Sequence, residues 1–229
     1  GVTAENVAEY NREAIARFLE VFPEIDGLQL RMHNESGLAP DEMGSFWHGV
    51  FQIIKKERPG LRLDLRAKEL PDSIIDDAIN MGLDVRITTK FWMEQIALPF
   101  HPTRVNVQNQ HDRRHSYADL LRNPQRFDIH WRLWNSVTSG GLLWADPDWV
   151  RRFVVSTRLH RGSFEFNEPN ATWMLGQPHD TKPLPIHTPP YRWYRYEVER
   201  HWHTLQLFGR LGYDPSAPAQ LWERELTRR

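Results

Sequence analysis

The feature of this sequence that most constrains its fold is the alternation of strand-like and helix-like segments along all 229 residues. Five short segments alternate apolar and polar residues, at 28–32, 61–65, 83–89, 127–134 and 162–166, and this pattern predicts five strands. Apolar residues recur at helical spacing between them, and the connections are too long for hairpins. Strands separated in this way pair in parallel through crossover helices, so the sequence predicts an α/β fold.

Helix signals fill the intervals between the strands. Asp146-Pro147 is a strong helix start, because Asp is a favoured N-cap and Pro suits the first helical position. The predicted helices run over 3–22, through 46–54, from Pro71 to Gly82, from Asp146 onward, over 192–212 and over 216–227. The predicted buried stripes include Val150, Phe153 and Val154 on the fourth helix and Val198, Trp202 and Leu205 on the fifth.

The number of strands leaves two architectures open. A complete eight-stranded barrel takes about 250 residues, and this chain shows five βα units and begins with a helix. Either three units precede it in a (β/α)8 TIM-type barrel, or it is a five-stranded open sheet. We favour the barrel. Because Gly1 replaces an initiator Met, we interpret residues 1–229 as the C-terminal portion of a single catalytic barrel in a longer chain.

Composition excludes several functional classes. The formal net charge is −1, so no basic excess points to nucleic acid, and no apolar run approaches the roughly 20 residues that cross a bilayer. Cysteine is absent, and the eleven His residues show no HExxH-like spacing, so we expect no catalytic metal. No phosphate loop or dinucleotide fingerprint is present, so we expect no cofactor. The oligomeric state stays open; a periplasmic or extracellular bacterial location is favoured and a cytoplasmic one is possible.

The residues that carry chemistry gather where the predicted strands end. They are Arg31, His33, Asn34 and Glu35 at the first strand, Arg66 at the second, Lys90, Trp92, Glu94 and His101 after the third, Arg132, Trp134 and Asn135 at the fourth, and Glu165, Asn167 and Trp173 at the fifth. Active sites of parallel α/β folds lie at that edge of the sheet. Each residue alone could be an ordinary solvated loop residue, but chance would spread such a set over both edges. The set therefore predicts one site.

These residue types suit the hydrolysis of sugars. A glycosidic bond needs an acid to protonate the leaving oxygen and a carboxylate to activate water or to attack the anomeric carbon. Glu35 and Glu94, on different strand ends, are the candidate catalytic pair. The ten Trp residues offer faces on which sugar rings stack, and Arg side chains bind carboxylates through a bidentate fork.

Several motifs carry a resemblance to a known family. Residues 31–37 read Arg-Met-His-Asn-Glu-Ser-Gly, 65–67 read Leu-Arg-Ala, 99–102 read Pro-Phe-His-Pro and 208–215 read Phe-Gly-Arg-Leu-Gly-Tyr-Asp-Pro. They resemble motifs of the α-glucuronidases of glycoside hydrolase family 67, which remove 4-O-methylglucuronic acid from xylan. That family has Ala where this chain has Gly212. The resemblance extends over the whole chain and implies a C-terminal part of a catalytic barrel that binds an oligo- or polysaccharide.

The resemblance also suggests roles for individual residues. Glu35 falls where the family carries its general acid, and Glu94 lies one residue out of register with a catalytic Asp. We expect Glu35 to be kept protonated by burial and Glu94 to be the base or nucleophile. A substrate carboxylate would be held by Arg66, Lys90 and Arg132, sugar rings would stack on Trp92, Trp134 and Trp173, and hydroxyls would bind to Asn34, Asn135 and Asn167. His101 is either a hydrogen-bonding residue of the site or a core residue.

The chain departs from the family at one position that matters for mechanism. The family has a second base, a Glu after the fourth strand seen here, where this chain has Trp134-Asn135-Ser136 and no carboxylate before Asp146. We therefore favour an inverting mechanism, or a base drawn from Glu94 or Glu165. Two other classes stay open: a carbohydrate-binding protein on a degenerate barrel, and a polysaccharide lyase.

Overall fold

A computed structural model of the chain describes residues 1–32, 37–91, 98–100, 120–121, 126–134, 146–167, 199 and 201–228. The helices in these residues are α1 (Val7–Val21), α2 (Met43–Glu57), α3 (Asp72–Asn80), α4 (Pro147–Arg158), α5 (Trp202–Tyr213) and α6 (Gln220–Arg228). The strands are β1 (Gly27–Leu30), β2 (Arg62–Arg66), β3 (Asp84–Lys90), β4 (Asp128–Trp134) and β5 (Ser163–Asn167). The described residues fall into two compact units, one holding 1–90 and 120–131 and the other holding Phe91, 98–100 and the residues from Arg132 onward.

The strands form one sheet in chain order, β1-β2-β3-β4-β5. The β1–β2 and β2–β3 pairs are parallel, with Leu28 opposite Leu63 and Leu63 opposite Val85. Helix α2 connects the first pair and α3 the second, as crossovers between parallel strands require. The predicted α/β fold is therefore confirmed, with each strand within two residues of its expected bounds.

In the first unit, helices pack on one face of the strands. The fully buried side chains of this core include Leu63, Leu65 and Ile87 on the strands, Phe51 and Ile54 on α2 and Ile75 and Ala78 on α3. Helix α2 ends one residue before the Arg58-Pro59 pair, since Pro restricts the residue before it to extended backbone. Gly60 (φ +92°) and Gly82 (φ +76°) adopt the left-handed conformation in the turns that lead into β2 and β3.

In the second unit, the core is aromatic. The Phe153 ring of α4 is buried and contacts Phe91, Trp149, Phe164 and Phe208, with centroids 4.8 to 6.3 Å apart. The predicted stripe of α4 is confirmed, since Phe153 and both valines of that stripe are at most 2% exposed.

The predicted start of α4 is also correct. The Asp146 carboxylate accepts hydrogen bonds from the backbone N–H groups of Asp148 and Trp149. Pro147 occupies the first helical position. An N-cap of this kind stabilises a helix by about 1 kcal/mol.

Helix α6 begins at Gln220, so the prediction that it starts at 216 was wrong. The Asp214 carboxylate accepts hydrogen bonds from the backbone N–H and the hydroxyl of Ser216, and these bonds lower the pKa of that carboxyl. They hold the segment after α5 in a turn. Pro218 also disfavours helical backbone at Ala217, which delays the next helix.

The predicted stripe of α5 was wrong as well. Trp202 and Leu205 are only half buried, and Val198 lies outside the described residues. The buried face consists of Thr204, Leu207, Phe208 and Leu211. Helix α5 packs through this face against α4.

Candidate functional site

In the first unit, strands β1, β2 and β3 present two chemically different faces. One carries Leu28 and Leu30, Leu63 and Leu65, and Val85, Ile87 and Thr89. The other carries Gln29, Arg62, Asp64 and Arg66, and Asp84, Arg86, Thr88 and Lys90. In the second unit, Arg132 and Glu165 lie on one face of β4 and β5, and Leu133, Phe164 and Phe166 on the other. We call the charged side of the strands in each unit its polar face. Since successive side chains of a strand point to opposite sides, this separation follows directly from the alternation in the sequence.

At the centre of the first unit's polar face lies Asp64, which is only 3% exposed. Its carboxylate accepts hydrogen bonds from Arg86 Nη2 at 2.7 Å, from Gln29 Nε2 at 3.3 Å and from the Thr88 hydroxyl. Gln29, Asp64 and Arg86 are register partners on three neighbouring strands. One carboxylate therefore ties β1, β2 and β3 together.

A second ion pair lies toward the start of β2 and β3. Arg62 Nε donates to Asp84 Oδ2 at 2.9 Å, and both side chains are nearly half exposed. The pair is thus a solvated counterpart of the buried Asp64–Arg86 pair, on the same face and the same two strands.

The carboxyl ends of the strands in the first unit are rich in cations. Arg66 is the last residue of β2 and is half buried, and Lys90 is the last residue of β3 and is 6% exposed. Arg31 immediately follows β1, and Lys68, also buried, follows β2. Three predicted substrate-binding residues of this unit, Arg31, Arg66 and Lys90, therefore lie at the strand ends where they were expected.

In the second unit, the structure pairs two predicted site residues with each other. Arg132 Nε, on β4, donates to Glu165 Oε1, on β5, at 2.5 Å. The Arg132 side chain is 13% exposed and the Glu165 side chain 29%. Glu165 lies within β5, as the predicted strand at 162–166 implies. The Glu165 carboxylate is therefore already bound by a guanidinium group, and a proton or water would have to compete with that contact.

The remaining predicted site residues fall into two groups. Trp134 and Asn167 are the last residues of β4 and β5. The two catalytic candidates Glu35 and Glu94 lie outside the described residues, as do His33, Asn34, Trp92, His101, Asn135 and Trp173.

Asp64, Arg86 and Thr88 were missed by the sequence analysis. The sequence does hold a sign of the Asp64–Arg86 pair. Each is the third residue of its strand, and the parallel register places the two side by side. Opposite charges at matched positions of adjacent strands are a readable sign of a cross-strand pair.

A separate polar cluster lies between α2 and α3. His48 Nδ1 contacts Asp77 Oδ2 at 2.9 Å, and His48 Nε2 lies 3.0 Å from Gln52 Nε2. His48 and Asp77 border an open groove of about 490 Å³ that also includes Gly44, Ser45, Ser73 and Ile74. No Trp, Tyr or Phe is among the described residues that border this groove, so they do not provide the stacking surface expected of a sugar site.

Metal-binding clusters and membrane-spanning helices are both absent from the described residues. Within those residues, no group of three or more His, Cys, Asp or Glu side chains is arranged to hold a metal ion. None of the helices in the described part of the chain has the length and apolar character needed to cross a membrane.

Comparison with known proteins yields one structural likeness. No protein-family model matches the chain, and no curated protein matches it. Among solved structures, the chain is similar to a GH138 enzyme targeting pectin rhamnogalacturonan II, with a TM-score of 0.66 and 16% sequence identity. The match covers 97% of this chain and 24% of that enzyme, so the chain spans about a quarter of the enzyme's length. At this identity the likeness establishes a shared α/β fold.

Proposed function

We propose that this chain is part of a glycoside hydrolase that cleaves a glycosidic bond in a plant or algal polysaccharide. The observation that carries the proposal is the polar face, whose acids and guanidinium groups line parallel strands of the same fold as a GH138 enzyme. Parallel α/β enzymes place their catalytic groups at the carboxyl ends of such strands.

The proposed chemistry is carboxylate acid–base catalysis. Glu35 is the proposed general acid, and Glu94 the proposed base or nucleophile. Glu165 is the weaker candidate for the base, because the Arg132 guanidinium lies 2.5 Å from its carboxylate. An inverting mechanism needs a gap of about 6.5–9.5 Å between the two carboxyl groups, and a retaining one about 5–5.5 Å.

The proposed substrate carries a carboxylate. Arg66 and Lys90 are the last residues of the neighbouring strands β2 and β3, and Arg31 immediately follows β1. Positive charge is therefore concentrated at this edge of the first unit. Guanidinium groups bind carboxylates strongly and with defined geometry. The GH138 enzyme targets a pectin, and the sequence resembles α-glucuronidases, so release of a uronic acid is the favoured reaction.

The proposed architecture is the C-terminal part of a (β/α)8 barrel. Strands β1, β2 and β3 of the first unit pair in parallel, with a helix between each pair along the chain and charged groups on one face, as the βα units of such a barrel do. The completing strands would come from another part of the protein.

Replacement of the general acid tests the proposal. Rhamnogalacturonan II and glucuronoxylan are the substrates, released sugars are measured by chromatography, and Glu35→Gln is compared with wild type. Loss of one general acid is expected to reduce kcat by about 10²–10⁴-fold. Glu20→Gln on α1 is the matched control, since Glu20 is exposed and pairs only with its helical neighbour Arg17 in the described structure. Full activity of Glu35→Gln on a substrate that the wild type cleaves contradicts the proposal.

A non-catalytic carbohydrate-binding protein is the second candidate. This candidate is favoured because Asp64, Asp84 and Glu165 are each bound to an arginine. Few carboxylates on the described strands therefore remain to act as the catalytic base. The discriminating result is oligosaccharide affinity that persists in Glu35→Gln/Glu94→Gln while neither the variant nor the wild type cleaves the ligand.

A further inference from the structure

A single buried carboxylate organises the polar face of the first unit. Asp64 accepts hydrogen bonds from one residue of β1 and two residues of β3. Buried polar groups linked in this way fix the positions of their partners, because each donor would lose its hydrogen bond by moving. Asp64 therefore restrains the side-chain rotamers of Arg86 and Thr88 as well as its own.

The two β3 residues that Asp64 restrains, Arg86 and Thr88, precede the cations at the strand ends. Thr88, which donates to Asp64, is the register partner of Arg66. Lys90 is two residues beyond Thr88 and thus on the same face of β3. Side chains on one face of adjacent strands lie within reach of each other, so the position of Thr88 influences both Arg66 and Lys90.

Charge gives Asp64 a second influence on the same cations. Arg66, Arg86 and Lys90 lie on one face of two strands that are about 4.8 Å apart. Like charges at such spacing repel one another, more strongly where side chains are buried. Within the described part of this face on β2 and β3, Asp64 is the buried anion, and it binds Arg86 at 2.7 Å.

We infer that Asp64 is a positioning residue for an anionic sugar, holding Arg66 and Lys90 in the arrangement that receives the sugar's carboxylate. Asp64 does not itself contact substrate in this assignment; it acts through Thr88 and Arg86. The inference rests on the proposed function and adds to it a residue outside the predicted site. In this assignment, the buried Asp64 carboxylate balances part of the positive charge of the cations that would bind the sugar.

The test compares two Arg–Asp pairs on the same strands. Asp64→Asn keeps the shape of the side chain and removes its charge, and Asp84→Asn makes the same change in the solvated Arg62–Asp84 pair. The probes are an acidic rhamnogalacturonan II oligosaccharide and the same oligosaccharide after reduction of its carboxyl groups. For the acidic probe, Asp64→Asn is expected to raise KM about tenfold and to change kcat less than about twofold, because misplaced binding groups weaken substrate binding. The reduced probe should bind both variants like wild type, and Asp84→Asn should match wild type on both.

The outcomes separate this inference from the proposed function. If the wild type neither binds nor cleaves the acidic probe, the proposed function fails and takes the inference with it. If the wild type cleaves the probe but Asp64→Asn and Asp84→Asn behave alike, the function stands and the inference is overturned. Equal losses on the acidic and reduced probes also overturn it, since a general structural defect would act on both. Should Asp64→Asn not fold, Asp64→Asn/Arg86→Gln removes both charges together, and the same selective rise in KM is expected.

Discussion

The two faces of the strands are stabilised by different forces. On the apolar face, side chains such as Leu63, Ile87 and Phe164 pack against helices, and the fold there depends on buried area and close contact. On the polar face, neighbouring strands are joined by paired charges, Asp64 with Arg86 and Arg132 with Glu165. The interior of a typical (β/α)8 barrel is filled with bulky branched side chains, and the charged residues of the polar face depart from that pattern.

The contrast predicts where substitutions are costly. Apolar contacts on the helix side should account for most of the stability, and exposed pairs on the polar face for little. The buried Asp64 is the intermediate case, since removing one member of a buried ion pair leaves the other charge uncompensated.

The largest effect is expected at Phe153. Phe153→Ala should lower the free energy of unfolding by about 3–5 kcal/mol, because it removes a fully buried ring from contact with four other aromatic residues. Chemical denaturation followed by tryptophan fluorescence measures the loss. Val155→Ala on the same helix is the control, since Val155 is about half exposed and should change stability by less than about 0.5 kcal/mol. Similar losses in the two variants would mean that the helix side is not a tightly packed core.

A smaller loss of stability is expected at Gly212, where the substitution adds atoms to the core instead of removing them. A Cβ added there would lie 2.8 Å from Phe164 Cζ, and Phe164 is itself packed against Phe153 and Phe208. Gly212→Ala should therefore destabilise the protein by about 1–3 kcal/mol through overpacking.

A matched glycine on the same helix sharpens this test. A Cβ at Gly209 would meet nothing within 4 Å, so Gly209→Ala should stabilise α5 by up to about 1 kcal/mol through helix propensity. Gly212→Ala combined with Phe164→Leu should recover part of the loss by making room for the new methyl group. A stabilising Gly212→Ala would show that Phe164 shifts freely, and the apolar face would then be looser than its contacts indicate.

What the sequence predicted well depends on local pattern. The alternation in 61–65 and 83–89 identified strands and, through them, the two faces, because side-chain direction in a strand follows position alone. Asp146-Pro147 identified the start of α4 because a cap requires only neighbouring residues. Both kinds of information lie within a few residues of chain.

What the sequence did not predict depends on pairing between distant segments. Asp64 and Arg86 are 22 residues apart, and Arg132 and Glu165 are 33 apart, so their pairing follows from strand register that no single segment specifies. The sequence therefore predicted Glu165 as a substrate-binding residue or possible base, and did not predict that Arg132 binds its carboxylate. The buried side of α5 was misjudged for a similar reason, since which stripe is buried depends on how α5 packs against α4.

The smallest effect is expected at the solvated end of the polar face. Asp84→Asn should lower the free energy of unfolding by about 0.2–1 kcal/mol, because Arg62 and Asp84 are nearly half exposed and their attraction is weakened by water. The difference should disappear in about 1 M salt, where the Debye length falls to about 3 Å. A double-mutant cycle with Arg62→Gln, measured by denaturation at low and high salt, isolates the pair from other contributions. If the coupling free energy exceeds about 2 kcal/mol and persists in salt, the Arg62–Asp84 pair contributes as much to stability as a buried ion pair does. In that case the polar face would be part of the structural core over its whole length, and Asp84→Asn would no longer be a neutral reference for Asp64→Asn.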